Sequence, residues 1–293
     1  RIFFEKCYID AIKEALTRHG FQQWEIQNWG GRFVLFCEQL DEISKVLETL
    51  PGIQSLSPAL HWVFQSKADL LEQVQKIATP YIKDKIFRLK VKRIGRHPFK
   101  SPEIEREAGS LLFPFSKGVK LKDPEVTIHL EIRDQHCCLY TEVIDGLGGL
   151  PPTTAGKVLA LFSGGIDSPV AALQMLKRGC VVDFLFIDLI GQKSFQTVLQ
   201  VYNFLIHHYA YGYQPKLYVV NGLPLVEFLR DHVADKWRQL ALKIAFYKLA
   251  EKLAYRKKYL ALVTGEALAQ KSTQTLHSLK FIESQISLPV LRP

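Results

Sequence analysis

The sequence predicts an α/β protein in which an α+β front half precedes a doubly wound domain built on a parallel sheet. Three observations predict this fold class. From residue 158 to residue 264, short continuous apolar runs alternate with helical patterns, as in buried parallel strands separated by helices. Before residue 145, strands of alternating apolar and polar residues are mixed with helices. Between the halves, residues 146–156 contain many glycines and prolines, which predicts a linker.

The composition is that of a folded protein. Apolar residues make up 47% of the 293 residues and charged residues 23%, and this length is enough for two or three domains. No apolar stretch approaches the length of a membrane span, and no secretory signal opens the chain, so we expect a cytoplasmic protein without a membrane partner. The chain begins without methionine and stops in mid-pattern, so we expect both ends to be truncated.

Charge and cysteine content narrow the class of protein. The formal net charge of +9 favours a polyanionic partner without identifying one, because many basic proteins bind no nucleic acid. The cysteines have no CxxC spacing, which indicates reduced thiols rather than a disulfide framework or a zinc site. The histidines also lack metal-ligand spacing, so no metal site made of protein ligands is predicted. The five cysteines are Cys7, Cys37, Cys137, Cys138 and Cys180.

The front half is predicted to contain two α+β regions. In the first, helices are predicted over 2–19 and 41–50, and strands over 24–26 and 32–37. The second region is predicted to have helices over 67–82 and from 103, and strands over 86–93, 126–132 and 138–141. In the strand over 86–93, apolar and cationic residues roughly alternate, so that one face is apolar and the other is charged.

The back half is predicted to alternate strand and helix throughout. Its predicted strands are 158–162, 181–189, 216–220 and 260–264, and its predicted helices are 169–177, 195–208 and 226–256.

The most informative residues are 161–169, Leu-Phe-Ser-Gly-Gly-Ile-Asp-Ser-Pro, which lie between the first parallel strand and its helix. Gly164 and Gly165 let the backbone turn tightly and bring its N–H groups close to an anion. The hydroxyls of Ser163 and Ser168 add donors, and the positive end of the helix dipole points at the same place. This arrangement predicts a pyrophosphate site.

The carboxylate of Asp167 indicates how that site would hold an anion. A carboxylate repels a bare phosphate, so Asp167 predicts a magnesium ion or a structural hydrogen bond rather than direct phosphate contact. The motif is not a Walker loop, because no Gly-Lys-Ser/Thr follows, and it is not GxGxxG, because the glycines are adjacent. The alternative interpretation is an ordinary strand-to-helix turn.

The motif resembles the PP-loop of the ATP pyrophosphatases, and the chain as a whole is similar to the tRNA 4-thiouridine synthetases. This resemblance is carried by residues 146–151, 157–159, 163–170, 176–180 and 263–268, by Gln270 and Ser272, and by 274–276 and 291–293. It implies a ferredoxin-like domain over 1–60, a THUMP domain over 61–145, a linker over 146–156 and a PP-loop domain over 157–293.

The resemblance implies a reaction and a set of partners. ATP, with Mg²⁺, would adenylate uridine 8 of tRNA, and a persulfide sulfur would then displace AMP to give 4-thiouridine. The implied partners are tRNA and a cysteine desulfurase or other persulfide donor; a homodimer and a link to sulfur supply for thiamine synthesis are also compatible with it. The family's catalytic cysteine lies beyond Leu291-Arg292-Pro293, and none of the five cysteines is assigned to this role.

The resemblance also implies site residues. Asp167 is the expected catalytic residue. ATP is expected to contact the following residues: Leu161, Phe162, Ser163, Gly164, Gly165, Asp167, Ser168, Phe186, Ile187, Lys243, Gly265 and Gln274. Two departures from the family pattern weaken the expected ATP site, because the family commonly has arginine at Ile244 and glycine at Ala269.

A basic segment of the front half predicts an RNA-binding surface, through phosphate contacts that weaken as salt rises. The alternative for any one of these side chains is an ordinary solvated charge, and no aromatic pair is predicted on a strand for base stacking. The expected RNA-binding residues are Lys90, Lys92, Arg93, Arg96, Lys100, Arg106, Lys120 and Lys122.

Two other functions remain open at this point. The first is a PP-loop enzyme that adenylates a small molecule, which the basic front half argues against. The second is an RNA-binding THUMP protein with a weakened ATP site, which the residues at positions 244 and 269 favour.

Overall fold

The order of helices and strands is that of an α/β protein in the computed structural model, which describes residues 2–270 and 274–293. The helices are α1 (Ile2–Arg18), α2 (Leu40–Leu47), α3 (Lys67–Ile82), α4 (Ser101–Leu112), α5 (Asp167–Lys177), α6 (Gln192–Tyr209), α7 (Leu223–His232), α8 (Asp235–Lys257) and α9 (Leu276–Glu283). None of the helices in the described residues is both long and apolar enough to cross a membrane.

The strands range in length from two to nine residues. They are β1 (Trp24–Asn28), β2 (Phe33–Cys37), β3 (Ser55–Leu56), β4 (Leu60–Val63), β5 (Ile86–Ile94), β6 (Gly118–Val119), β7 (Val126–Arg133), β8 (His136–Tyr140), β9 (Ile144–Asp145), β10 (Lys157–Leu161), β11 (Val181–Asp188), β12 (Leu217–Asn221), β13 (Ala261–Val263) and β14 (Val290–Leu291).

The chain folds into two units. The first unit comprises Arg1–Gln23, Lys45–Gln54 and Asp145–Pro293, and the second comprises Trp24–Ser44 and Ser55–Ile144. The finer division expected from the sequence, with boundaries after residues 60, 145 and 156, stays a prediction.

The first unit contains the predicted doubly wound sheet. Its strand order is β12-β11-β10-β13-β14, and all neighbouring strands are parallel. One face buries Phe162 and Phe184 with residues of α5 and α6, and the other buries Leu185 and Leu262 with residues of α8 and α9. Because helices cover both faces, the central strands are continuous apolar runs. The α/β fold class is therefore confirmed.

Residues 146–156 pack closely within the first unit. A Cβ atom on Gly149 would lie 2.0 Å from the carbonyl oxygen of Lys177, and one on Gly179 would lie 2.4 Å from Oγ1 of Thr154. Both glycines have positive φ angles. The glycine content of this segment therefore allows close backbone packing against the C-terminal end of α5.

The second unit contains a mixed sheet with the order β4-β8-β7-β5-β6. Strand β5 is parallel to β7 and β6, whereas β8 is antiparallel to β7 and β4. One face is covered by α3 and α4 and buries Leu70, Phe87, Ile104 and Ile128. Because side chains alternate along a strand, Lys90 projects from the opposite face.

The hairpin of β1 and β2 belongs to the second unit and confirms the two strands predicted there. Gly30 and Gly31 form its turn with φ angles of 64° and 92°. Next to this turn, Arg32 forms a two-pronged ion pair with the buried Glu131, with Nε–Oε1 and Nη2–Oε2 distances of 3.2 and 2.8 Å. The charge of Glu131 is thereby compensated inside the unit.

The single helix predicted over 226–256 is wrong, because α7 and α8 are separate helices. At the break, Val233 has φ −121° and ψ 131°, and Ala234 has φ −58° and ψ 138°. The guanidinium of Arg238 on α8 donates to the carbonyls of Arg230 and Val233, both at 2.9 Å. These bonds satisfy carbonyls at the end of α7, so the helix ends there although the apolar spacing continues.

Candidate active site

The predicted anion loop is a closed turn between β10 and α5. The buried hydroxyl of Ser168 accepts a hydrogen bond from the backbone N–H of Ser163 at 2.9 Å and lies 3.0 Å from the Ser163 hydroxyl. The N–H of Gly165 points to the same Ser163 oxygen at 3.4 Å. Ile166, which precedes the helix, gives it no side-chain cap. The first-turn N–H groups of α5 therefore lie at an exposed loop without a side-chain acceptor there, as an anion site requires.

Gly265 supports this loop from the next strand of the sheet. It follows β13, which is paired with β10, and a Cβ at this position would lie 2.4 Å from the carbonyl carbon of Asp167 and 2.6 Å from the nitrogen of Ser168. Only glycine lets the two backbones approach this closely. Gly265 thus packs against the loop, and its expected contact with ATP stays a prediction.

A cleft of about 500 Å³ opens on the other side of the loop. Four of the expected ATP contacts line it, because β10 and β11 end side by side: Leu161, Phe162, Phe186 and Ile187. Ser163 and Gly164 complete its edge toward the loop. The structure thus brings six expected residues together around one apolar pocket at the carboxyl ends of parallel strands, where open α/β sheets bind their ligands.

The far wall of the cleft was not predicted. It consists of Leu185, Leu189, Ile190, Ser194, Thr197, Val198 and Phe246. No local motif marks these residues, which come from β11, the turn after it, α6 and α8.

A turn organised by Asp188 shapes that wall. Its carboxylate accepts hydrogen bonds from the N–H of Gly191 at 2.8 Å, the N–H of Ile190 at 3.1 Å and the hydroxyl of Ser194 at 2.7 Å. The bonds from Gly191 and then Ser194 lower the pKa of Asp188 below its usual value. The charged carboxylate thus fixes the start of α6 beside the cleft.

Lys243, the expected phosphate-binding lysine, lies on the β13 side of the site. It forms an ion pair with Glu266, and both side chains are mostly buried, with 17% and 13% of their surfaces exposed. Glu266 also accepts a hydrogen bond of 2.5 Å from the hydroxyl of Tyr247. Arg292 lies 3.6 Å from the same carboxylate. Sequence reasoning did not find this group, because its members are up to about fifty residues apart in the chain.

Gln274 and the two departures from the family pattern are also on this side. Gln274 is 5% exposed, and its side-chain oxygen is buried without a hydrogen-bond partner among the described residues. Ala269 has φ 65°, in the left-handed region that favours glycine. Ile244 packs on the apolar cluster beneath the sheet. Ser272, which contributes to the resemblance, lies outside the described residues.

The fit of a magnesium ion depends on Asp167. Its carboxylate is exposed at the first turn of α5 and makes no ion pair or hydrogen bond to any described side chain. No group of three or more metal-ligating side chains occurs in the part of the chain that the structure describes. A single carboxylate beside a phosphate site suits Mg²⁺, which keeps several waters and takes further ligands from phosphates.

The expected RNA-binding side chains lie in the second unit, and one differs from the rest. Lys90 and Lys92 are exposed on the open face of β5, next to His129 and Glu131 of β7. Arg93 is half-buried on the helix-covered side, where it donates to the carbonyl of Gly95 at 2.8 Å. The structure therefore does not place Arg93 with the two lysines. The remaining exposed members are Arg96, Lys100, Arg106, Lys120 and Lys122.

The open face also carries an aromatic pair that the sequence analysis did not expect. His129 and Tyr140, on neighbouring strands, stack with ring centroids 4.9 Å apart and an interplanar angle of 3°. Burial, and then the nearby Lys90 and Arg88 charges, lower the pKa of His129. The pair is a cross-strand contact within a positively charged surface.

Four of the five cysteines have the properties of unreactive thiols. Burial raises the pKa of Cys138 to about 11 and also raises those of Cys37, Cys137 and Cys180. A thiol is a nucleophile only as the thiolate, so these four groups are poor candidates for sulfur transfer.

Two family models match the chain. The model described as thiamine biosynthesis protein (ThiI) matches residues 153–293, and the model of the THUMP domain matches residues 64–142. The probable tRNA sulfurtransferase of Saccharolobus solfataricus is 37% identical over 295 residues, covering 97% of this chain and 79% of that protein.

The chain belongs to the tRNA sulfurtransferase family. The tRNA sulfurtransferase of Pyrobaculum aerophilum is 35% identical over 293 residues, or 100% of this chain and 60% of that protein. The Desulfurococcus amylolyticus relative is 36% identical over 258 residues, which cover 87% of this chain and 53% of that protein. This family member thus spans little more than half the length of some relatives.

Two solved structures share the fold of this family member. A 4-thiouridine synthetase in complex with RNA and bound ATP is 26% identical, with a TM-score of 0.84, and covers 99% of this chain and 75% of that one. The protein PH1313 of Pyrococcus horikoshii, at 24% identity and a TM-score of 0.78, covers 100% and 88%. The second match concerns the fold alone.

Proposed function

We propose that this chain uses ATP to adenylate uridine 8 of tRNA, the activating step of 4-thiouridine formation. The observation that carries the proposal is the closed loop at residues 163–168 next to an apolar cleft, in a member of the tRNA sulfurtransferase family. A structure of similar fold contains RNA and ATP. Pyrophosphate chemistry on an RNA substrate accounts for both the loop and the basic surface.

The residues of the site have distinct roles in this proposal. The adenine lies in the apolar cleft between Phe162 and Phe186, and the strand ends supply its backbone hydrogen bonds. The outer phosphates accept hydrogen bonds from the loop N–H groups, and Lys243 adds a positive charge. Mg²⁺ would neutralise phosphate charge when bound, and Asp167 is the residue that would hold it.

The reaction itself is a nucleotidyl transfer. The uridine O4 forms a bond to the α-phosphorus of ATP, while the bond from that phosphorus to the oxygen bridging the β-phosphate breaks. Pyrophosphate leaves with the electron pair, and the N3 proton of the uridine passes to water. The loop and the cations stabilise the negative charge that moves onto the leaving group.

The second step and the partners follow from the same proposal. The terminal sulfur of a persulfide, brought by a cysteine desulfurase or another donor, bonds to C4 of the activated uridine as AMP leaves. A thiol of the donor then attacks the remaining S–S bond, which releases 4-thiouridine and leaves a disulfide on the donor. Burial raises the pKa of four of the five free cysteines, which agrees with sulfur supplied by a separate donor and with a reducing cytoplasm. A homodimer and a contribution to thiamine synthesis belong to the same proposal, the latter from the description of the matching family model.

The decisive experiment measures tRNA-dependent release of pyrophosphate from ATP. Asp167→Ala should lower the rate by at least about 100-fold, because it removes the carboxylate that would hold Mg²⁺ at the reacting phosphates. The affinity for tRNA should stay within about twofold of the wild-type value. Asp235→Ala is the matched control, because Asp235 is also an exposed aspartate in the first turn of a helix of the first unit. It should retain the wild-type rate.

The other functions predict different results. If wild-type protein forms AMP equally well on a free nucleotide or amino acid without RNA, the chain is a small-molecule ligase. If it binds tRNA but no ATP, it is an RNA-binding protein with a lost nucleotide site. If Asp167→Ala is fully active, the assigned role of the loop is wrong.

A further inference from the structure

A second group of charged residues borders the anion loop. Its centre is the carboxylate of Glu266, which pairs with Lys243, accepts the Tyr247 hydroxyl at 2.5 Å and lies 3.6 Å from Arg292. Arg292 in turn pairs with Glu283. The Lys243 and Arg292 side chains are only 17% and 20% exposed, so water screens their charges less than it screens surface charges.

The fold fixes this group at the edge of the sheet that carries the loop. Glu266 directly follows Gly265, which touches the backbone of Asp167. Arg292 directly follows β14, and the N–H of Thr264 donates to the carbonyl of Leu291 at 3.0 Å. Consecutive strand ends of a parallel sheet thus deliver the carboxylate and the guanidinium to one place.

The third element of the group is α8. Lys243 and Tyr247 are four residues apart on this helix, so they project from the same side. Burial and the Glu266 charge raise the pKa of Tyr247, which keeps its hydroxyl proton available as a donor. The pKa of Arg292 is also raised, because Glu283 and its other neighbours outweigh the effect of burial.

Position 244 contributes no charge to this group. Where the family commonly has a second cation, Ile244 packs against the apolar cluster on the face covered by α8 and α9. Arg292 reaches the same carboxylate as Lys243 from another strand. Two cations are therefore present next to the loop without any contribution from position 244.

We propose that Glu266 is a positioning residue that holds Lys243 and Arg292 as a pair of cations for the triphosphate of ATP. This inference rests on the proposed adenylation function. The pair gives the site a second charge that interacts with the leaving pyrophosphate but hardly with AMP. Glu266 fixes the positions of the two cationic side chains, and these side chains interact with the phosphates.

Affinity for ATP relative to AMP tests the inference. Glu266→Gln should weaken ATP binding by roughly tenfold, since the cations lose their common anchor, and should change AMP binding by less than about twofold. Glu266→Asp should recover part of the ATP affinity, because it restores the charge. Titration calorimetry with the full chain measures both nucleotides.

A double-mutant cycle provides the second measurement. Lys243→Ala and Arg292→Ala should be non-additive for ATP affinity by at least about threefold in the wild-type background, because the two cations share one anchor. In the Glu266→Gln background they should become additive. An ion pair that only stabilises the fold would not make the two substitutions non-additive for ATP affinity.

The matched control is Glu251→Gln. Glu251 is also on α8 and accepts a hydrogen bond from the N–H of Ser287 at 2.6 Å, so its loss should lower the melting temperature while the ratio of ATP to AMP affinity stays at the wild-type value.

Three results would overturn the inference. One is a Glu266→Gln protein that binds ATP as tightly as wild type. Another is an equal loss for ATP and AMP, which means that Glu266 acts on folding alone. The third is additivity of Lys243→Ala and Arg292→Ala in the wild-type background, which remains decisive even if Glu266→Gln does not fold. Wild-type protein that binds no ATP would instead refute the proposed function, and the inference with it.

Discussion

The two sheets of the molecule carry their polar chemistry in different places. In the parallel sheet of the first unit, the chemistry is at the strand ends, where β10 and β13 deliver the anion loop and its support. In the mixed sheet of the second unit, charged residues follow one strand along its open face, as Lys90 and Lys92 do on β5. A strand end fixes a few atoms, whereas a sheet face presents many similar side chains.

This difference predicts how each region responds to substitution. At the end of β13, backbone atoms of Asp167 and Ser168 would lie closer than van der Waals distance to a Cβ on Gly265, so one methyl group there should disable the site. On the open face each lysine is one of several charges, so the effect of removing one should be partial and should depend on salt. The following predictions test that contrast.

The largest effect is expected from Gly265→Ala. The new Cβ would lie 2.4 Å from the carbonyl carbon of Asp167, so the loop must move. We expect ATP affinity to fall by at least about tenfold and stability to fall by about 1–3 kcal/mol. Nucleotide titration and thermal unfolding measure the two effects.

Gly109→Ala is the control for this substitution. Gly109 lies inside α4, and a Cβ there would have no atom within 4 Å. Alanine is the better helix former, so the variant should be more stable by about 0.5–1 kcal/mol and bind ATP normally. Unchanged ATP binding by Gly265→Ala would contradict the supporting role of that glycine.

A smaller, graded effect is expected on the open face. Lys90→Ala combined with Lys92→Ala should weaken tRNA binding and reduce the slope of log K against log salt by about 1 for each phosphate that is no longer neutralised. Arg93→Ala should leave the slope unchanged, because Arg93 points to the other side and donates to Gly95. Equal slopes for all variants would show that RNA does not bind this face.

The smallest effect is expected from Asp188→Asn. Hydrogen bonds from Gly191 and Ser194 lower the folded-state pKa of Asp188 below its ordinary value of 3.8. The charged form therefore stabilises the fold above that pH, and the stabilisation is lost as the pH falls through the lower folded-state value. The variant should melt at a lower temperature than wild type at pH 7, and the gap should close in acid; a gap that is constant down to pH 2 would exclude this cause.

Local patterns predicted much of the fold and part of the site. The loop at 163–168 was predictable because six consecutive residues specify it, and the cleft residues Phe162 and Phe186 were expected from the family resemblance. The break between α7 and α8 was not, because Arg238 stabilises it through bonds to carbonyls five and eight residues earlier. Periodicity records apolar spacing and contains no information on such bonds.

The Glu266 group shows the limit of sequence reasoning most clearly. Lys243 alone was expected at the site, by resemblance. Arg292 joins it only because β14 adds to the sheet beside β13, and a two-residue strand has too few residues to show a pattern. Strand order, and not any local motif, brings the group together.

Helix α5 is held at both ends before any ligand arrives. Its first turn is packed against Gly265, and its last turn meets Gly149, whose close approach to the Lys177 carbonyl leaves no room for a side chain. These close backbone contacts at both ends oppose a shift of the helix. The loop at 163–168 is then ordered when the protein folds. A nucleotide that binds there does not have to offset the conformational entropy of ordering it.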